Sequence, residues 1–311
     1  IGRGEPVCSP SLKGQTHRSA PTCNFLDMEI LVAKNAGFCF GVKRAINMAE
    51  ECASDSEEHI HTLGPIIHNP QVVQELEKKG IAAVNTVDDI DSGAVIIRSH
   101  GVTLQEMEHV KEKGLKVVDA TCPFVKKTHE YVELLTKEGY SIVVVGDKEH
   151  PEVKGILSYG GKDIVAAGSV DELRGMPRRK KIGIVAQTTQ SLQNLQAIVT
   201  FCVARASEIK IFNTICNATS VRQDESTKLA GEVGCVIVVG GKNSANTNRL
   251  ADICRKIQPK TYHIETPEEL KKSWFEGIKR VGITAGASTP NWLIESVTET
   301  IKRLGVEDMV L

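Results

Sequence analysis

Three cysteines, Cys39, Cys122 and Cys216, each open the same run of residues: a helix-like segment, a short apolar strand, then a polar residue, His68, His150 or Ser244. The polar residue follows its cysteine by 29, 28 and 28 positions. One thiol and one polar group per repeat is the pattern that a site on a threefold pseudo-axis leaves in a chain, and fixed-period self-similarity decides an architecture. Three converging thiols can bind zinc with a fourth position open, hold an iron–sulfur cluster, or serve as apolar core. All three follow a strand, two of them within Gly-Phe-Cys39-Phe-Gly and Ala-Thr-Cys122-Pro, which argues against the core. Cys-x-x-Cys knuckles, usual in structural zinc sites, do not occur in the chain, whereas a cluster can take one ligand from each of three units. With three thiolates, one iron of a cubane stays open as a Lewis acid toward a substrate oxygen.

A second set of residues falls at the same strand ends: His68, His100, His150, Thr188, Ser244, Asn246 and Ser288, with Thr219 one turn after Cys216. His, Ser, Thr and Asn donors together with helix N-termini hold phosphate or diphosphate groups. Arg and Lys are largely missing from these loops, so two protonated histidines are expected to supply the positive charge. Glu152, in His150-Pro-Glu-Val, lies just past a strand end beside the expected anion. Like charge there would raise its pKa and make it a proton donor.

The elements that must position these residues repeat as well. Helices are expected over 71–80, 153–160 and around Leu250, Ile253, Cys254 and Ile257, whose spacing marks one helix face. Strands Ile81–Val84, Asp163–Ala167 and Thr261–Ile264 follow. Each runs into one capping signature: Thr86-Val-Asp-Asp-Ile, Ser169-Val-Asp-Glu-Leu and Thr266-Pro-Glu-Glu-Leu. A hydroxyl at the cap and acids in the first turn satisfy unpaired amides and suit the helix dipole. Strands Ala94–Arg98, Ile182–Ala186 and Val281–Thr284, long helices (Leu104–Lys113, Leu192–Ala206, Trp292–Leu304) and last strands Val117–Asp119 and Ile209–Phe212 complete the units. The third unit lacks a last strand unless Ile30–Ala33, at the front of the chain, closes the ring. Alternating strands and helices predict an α/β fold: three pseudo-symmetric domains with mostly parallel sheets around a central cluster, ligands sitting beyond the carboxyl ends of the strands. The expected domains are 41–122, 123–212 and 213–311, the last completed by strand 28–40.

Composition sets the outer bounds. A chain of 311 residues with 41% hydrophobic and 25% charged residues is ordinary globular protein, long enough for two or three small cores. Formal net charge of −1 gives no footprint for nucleic acid or anionic membrane, and no apolar run approaches the roughly 20 residues of a membrane span. Nine cysteines, an odd number in a long βα chain, point to a reducing cytoplasm rather than a disulfide framework. Cys52, Cys202, Cys235 and Cys254 are expected to pack in the core. Residues 1–27, rich in Gly, Pro, Ser and Thr and without an apolar stretch, read as a disordered leader rather than a signal peptide, with Cys8 and Cys23 idle. Arg178–Lys181 reads as solvated loop.

Taken in order, Gly-Phe-Cys39-Phe-Gly-Val, Ile-His68-Asn-Pro, Arg-Ser-His100-Gly-Val, Asp-Ala-Thr-Cys122-Pro, His150-Pro-Glu152-Val, Gln-Thr188-Thr, Gly-Lys-Asn-Ser244-Ala-Asn246-Thr-Asn-Arg-Leu and Thr-Ala-Gly-Ala-Ser288 resemble one family closely. It is the 4-hydroxy-3-methylbut-2-enyl diphosphate reductase (LytB protein) family, and the resemblance runs from about Met28 to Gly305. It implies an oxidoreductase of the non-mevalonate isoprenoid (MEP) pathway. That enzyme converts 4-hydroxy-3-methylbut-2-enyl diphosphate to isopentenyl and dimethylallyl diphosphate by reductive dehydroxylation at the open iron of a 4Fe–4S cluster, one per chain. By the same resemblance Cys39, Cys122 and Cys216 are the ligands, and Glu152 belongs to the proton supply. Thr188 orients the substrate hydroxyl, and His68, His100, His150, Thr219, Ser244, Asn246 and Ser288 bind the diphosphate. Ferredoxin or flavodoxin is the implied electron donor. Ala245 stands where family members often carry a second Ser, which removes one hydroxyl from the diphosphate loop. Quinolinate synthase, also with one Cys per domain, lacks the Asn243-Ser244-x-Asn246 and His-Pro-Glu152 motifs. A cluster-bearing sensor would need a partner surface such as a helix-turn-helix or basic stripe, which the sequence does not offer.

Overall fold

Runs of β-branched residues four to eight long form the strands, and the capped amphipathic stretches between them form the helices, in a computed structural model that describes residues 28–55 and 59–306. The leader 1–27, with Cys8 and Cys23, lies outside the described residues. The first unit runs α1 (Phe40–Asp55), β2 (Ile60–Leu63), α2 (Pro70–Lys78), β3 (Ile81–Val84), β4 (Ala94–Ile97), α3 (Leu104–Glu112) and β5 (Lys116–Asp119). The second runs α4 (Pro123–Lys137), β6 (Ser141–Val145), α5 (Pro151–Ser158), β7 (Ile164–Ala167), β8 (Arg179–Ala186), α6 (Leu192–Val203) and β9 (Ala206–Ile211). The third runs α7 (Asn217–Glu232), β10 (Cys235–Val239), α8 (Ala245–Ile257), β11 (Thr261–Ile264), β12 (Arg280–Ala285) and α9 (Asn291–Val306), joined by β1 (Glu29–Val32).

The three sheets share one order: β3-β2-β4-β5, β7-β6-β8-β9 and β11-β10-β12-β1. Every pairing is parallel, and β1 docks on β12 with Glu29 opposite Arg280 and Val32 opposite Ile283, so the N-terminal strand does complete the third sheet. Each sheet is covered on both faces. Ile60, Ile96 and Ala45 lie on one side of the first and Val95, Ile97 and Val110 on the other. The central strands β4, β6 and β10 are buried at every position, as parallel strands packed under helices must be.

Several local expectations change. The three capping signatures close single 3-10 turns rather than α-helices, too short to propagate. Thr86 and Thr266 form reciprocal boxes with Asp89 and Glu269, whereas the second turn starts after Val170, and Ser169 only meets Glu172 at 3.5 Å. Arg179, Lys180 and Lys181 are not loop; they begin β8, where Lys181 lies over the Tyr140 ring. On α8, Leu250, Ala251 and Cys254 are buried but Ile257 is exposed, because the helix ends there and its last turn points away from the sheet. Cys202, Cys235 and Cys254 are fully buried core residues, while Cys52 is partly buried against the first core.

Candidate active site

In each unit the first strand ends at Leu63, Val145 or Val239, and the polar residue His68, His150 or Ser244 stands five positions further on. The two latter residues cap the next helix directly. His150 Nδ1 accepts from Glu152 N at 3.2 Å, and Ser244 Oγ accepts from Thr247 N at 3.3 Å. In the first unit Asn69 takes the cap, accepting from Val72 N at 3.0 Å ahead of Pro70. His68 therefore precedes its helix by one more residue and is free of the backbone.

The cysteines sit on a second level of the same symmetry. The amide of Cys122 donates to Ser99 O at 2.9 Å, that of Cys216 to Thr188 O at 2.9 Å, and that of Cys39 to Ala287 O at 3.1 Å. Each thiol is thus tied to the loop beyond the neighbouring strand of its own sheet. Each also opens a helix. Val42 N faces Cys39 Sγ at 3.5 Å, amides of Phe124 and Val125 face Cys122, and those of Ala218 and Thr219 face Cys216. Helix N-termini stabilise thiolates, but burial outweighs them here. It pushes Cys122 up to about 11, with the neighbouring thiols adding to the rise, and raises Cys216 as well. Cys122 and Cys216, whose burial disfavours the thiolate, ionise when a cation compensates them. Gly41 makes the convergence possible, since a Cβ there would stand 2.6 Å from Cys122 Sγ and 3.9 Å from Cys39 Sγ.

The sulfur spacing discriminates between metals. Tetrahedral zinc, with bonds of about 2.3 Å, needs its sulfurs roughly 3.8 Å apart. Among the described residues, only His68, His100 and His150 bring three such ligand atoms within 4.8 Å of one another; the three sulfurs stand wider. That spread, the all-sulfur donor set and the space over Gly41 fit a cluster better than a single ion.

The histidines, in turn, fit an anion better than a metal. Their ring centroids lie 4.3, 5.3 and 5.5 Å apart. Because His150 Nδ1 accepts a backbone proton, the neutral ring carries its own proton on Nε2 and presents a donor there. Among the described residues, His68 Nε2 and His100 Nδ1 are buried with no hydrogen-bond partner, and the same holds for Nδ2 and Oδ1 of Asn246, which is 5% exposed. Buried polar atoms left this way cost about 1–3 kcal/mol each, a cost that a bound oxyanion removes. The expected protonated histidines are not found. Burial first, then Arg98, holds His68 down at about 4; burial, then neighbouring imidazoles and Arg98, holds His150 at about 4 and His100 well below its ordinary value.

Glu152 is 1% exposed, with Oε1 accepting from Thr188 N at 2.6 Å and Oε2 from Thr188 Oγ1 at 3.0 Å. Its pKa is raised to about 7, and the cause is burial rather than a like charge; the two bonds from Thr188 only moderate the rise. Thr188 also carries the carbonyl that receives Cys216, so one residue ties the carboxyl to a thiol loop.

All twelve sequence-derived candidates line one cavity of about 700 Å³: Cys39, Cys122, Cys216, His68, His100, His150, Glu152, Thr188, Thr219, Ser244, Asn246 and Ser288, with Thr188 in two expected roles. Ala245 lines it too. Ser288 Oγ donates to His68 O at 3.2 Å, joining the third unit to the first. Two arginines escaped the reading of the sequence. Arg98, inside Arg-Ser-His100, lies behind the histidines, and Arg222 on α7 donates to Gly37 O at 2.7 Å and Ala218 O at 2.9 Å, behind Cys39 and Cys216. Their placement two residues before a site histidine and six after a site cysteine was the available signal.

The family model for LytB protein matches residues 30–302. The chain is 56% identical over 275 residues to 4-hydroxy-3-methylbut-2-enyl diphosphate reductase of Syntrophotalea carbinolica, covering 88% of this chain and 98% of that one. It is 57% identical over 275 residues to the reductase of the same name from Geobacter sulfurreducens, covering 88% and 97%. Among solved structures, it is similar to (E)-4-hydroxy-3-methyl-but-2-enyl diphosphate reductase, the terminal enzyme of the non-mevalonate pathway. That match has 48% identity, a TM-score of 0.66 and coverage of 89% and 99%. The Plasmodium falciparum E-1-hydroxy-2-methyl-but-2-enyl-4-diphosphate reductase matches at 30% identity and a TM-score of 0.83, covering 88% and 87%.

Proposed function

The chain belongs to the LytB protein family, and from that premise we propose that it reduces 4-hydroxy-3-methylbut-2-enyl diphosphate to isopentenyl and dimethylallyl diphosphate. The observation that carries the reading is a single cavity that combines three thiols, unpartnered donors suited to an oxyanion and a buried acid titrating near neutrality. Family membership implies an iron–sulfur cofactor; Cys39, Cys122 and Cys216 are suited to hold it as one 4Fe–4S cluster per chain. When bound, the cluster supplies electrons and a Lewis-acidic iron without a protein ligand.

The net change replaces a C–O bond by C–H and releases the oxygen as water, so two protons accompany two electrons. Glu152 is the group suited to deliver protons, because burial keeps a large share of it protonated at pH 7. When it is protonated, the contact from Oε2 to Thr188 can reverse. The acid then donates to Oγ1 and frees the Thr188 hydroxyl hydrogen to point into the cavity and orient the substrate hydroxyl. His150 Nε2–H, Asn246, Ser244, Ser288, Thr219, His68 and His100 take the diphosphate, anchoring the substrate so that its hydroxyl end lies toward the thiols. The walls between, Val42, Ile67 and Val125, suit a branched hydrocarbon and exclude water.

The repeated sheet order supports dividing the chain into 41–122, 123–212 and 213–311 with 28–40 assigned to the last. Ferredoxin or flavodoxin is the proposed electron donor, and the cytoplasm the proposed compartment. Among the described residues no helix is long and apolar enough to cross a membrane. The test is an anaerobic assay with a strong one-electron reductant, reading products by mass. Formation of the two C5 diphosphates is expected, and no turnover of the allylic diphosphate by iron-loaded protein would overturn the assignment.

A further inference from the structure

The imidazoles facing the anion side are neutral at pH 7, so the positive charge that a diphosphate requires has another source. We propose that Arg98 is that source: a positioning residue whose guanidinium supplies fixed charge behind His68 and His100 and clamps the loops that carry them. This rests on the diphosphate reading of the site.

Arg98 follows β4 directly, two residues before His100. Its Nε donates to Gly101 O at 3.1 Å, just past His100. Its Nη1 lies over Gly64, four residues before His68, in the space where any side chain at that position would sit. Gly64 and Gly101 both have positive φ, 71° and 75°, so both turns are glycine conformations shaped around one guanidinium. A single planar fork therefore spans the two turns from which His68 and His100 project.

The charge is available. Among the described residues Arg98 makes no ion pair; the one acid facing it is Glu106 on α3, whose carboxylate already accepts from Thr103 N at 2.7 Å and Oγ1 at 2.9 Å. Arg98 acts on all three histidines, lowering their proton affinity. The other charged or titratable groups facing them are the imidazoles themselves, Asp147 toward His150, and Glu152, whose amide bonds His150. A guanidinium that stays charged at every working pH serves an anion better here than imidazoles that must first be protonated in a dry pocket.

The experiment uses iron-loaded enzyme under anaerobic conditions, with inorganic pyrophosphate as a competitive probe. Arg98→Met is expected to raise both the pyrophosphate inhibition constant and KM roughly 10–100-fold, with kcat within about 3-fold, since a fixed charge acting on the bound anion is lost from ground and transition state alike. Arg98→Lys, which keeps charge without the fork, is expected to recover most of the affinity, to within about 5-fold of the parent. A merely structural role would not produce that rescue by Lys together with a rise in KM at unchanged kcat. Parental pyrophosphate affinity in Arg98→Met, or a loss of kcat that tracks lost iron, overturns the inference. If Arg98→Met does not fold, Arg98→Lys decides: more than about a 10-fold loss of affinity at full iron content overturns the charge role. Failure of the parent enzyme to bind pyrophosphate would sink the diphosphate reading as well, whereas parental binding with indifferent Arg98 variants sinks this inference alone.

Discussion

The thiol wall and the imidazole wall of the cavity are built by opposite rules. Each sheet has one cysteine just past its last strand, each amide is pinned to the loop beyond the adjacent strand, and each sulfur faces the first turn of a helix. The imidazole wall breaks the symmetry: His68 and His100 come from the first unit, His150 from the second, and the third supplies Ser244, Asn246 and Ser288. A symmetric wall suits a symmetric guest held by three equal bonds. An asymmetric wall suits a guest with two different ends, which must enter in one orientation. The protein thus uses one repeated backbone for both tasks and varies the side chains at its strand ends, among them those five residues beyond each first strand.

If that division of labour is right, the walls fail separately. Cys216→Ala should abolish turnover and remove iron and sulfide together, read by metal and sulfide content after anaerobic purification. Retention of full iron would erase the distinction. Glu152→Gln, between the walls, should cut kcat by about 10²–10⁴-fold while the brown chromophore persists, because positioned acid groups contribute on that scale. Since Glu152 titrates at about 7 and acts in its protonated form, kcat of the parent should fall as pH rises through that value. A flat profile above pH 7 would remove Glu152 from proton delivery.

On the imidazole wall, Asn246→Ala should raise KM by about 10–100-fold at unchanged iron content, the loss expected for a hydrogen bond to a charged group. Iron loss in that variant would show that the walls are coupled. The smallest effect is on stability. His68, His150 and His129 are each held at about 4 and His100 well below its ordinary value, so the folded state binds fewer protons than the unfolded chain below the ordinary histidine value of 6.5. Stability is therefore full above pH 6.5 and lost as pH falls toward 4. The raised Glu152 works in the opposite direction between 4.5 and 7, one group against four. Thermal melting should drop on acidification across that window, and less so in His129→Gln, which removes one buried imidazole that does not line the cavity.

Much of this was legible along the chain. The repeat, the strand ends, the closing strand and every candidate lining the cavity followed from spacing, because periodicity and turn chemistry are local and survive in one dimension. The first sheet's β3 and the third's β11 have the expected bounds, and most others differ by one to three residues at frayed ends. The capping signatures at Thr86 and Thr266 open only single 3-10 turns, because a cap announces where a helix starts but not how far tertiary packing lets it run.

What the amino-acid order determined by itself was which residues share a strand end, and therefore which could meet. Only the tertiary structure decided what state they meet in. Burial, not sequence neighbours, keeps the histidines neutral and Glu152 protonatable, since desolvation depends on what packs over a group from distant segments. Only folding, likewise, lays the Arg98 side chain across Gly64 and Gly101, and holds three sulfurs too wide for one ion beside three imidazoles drawn close.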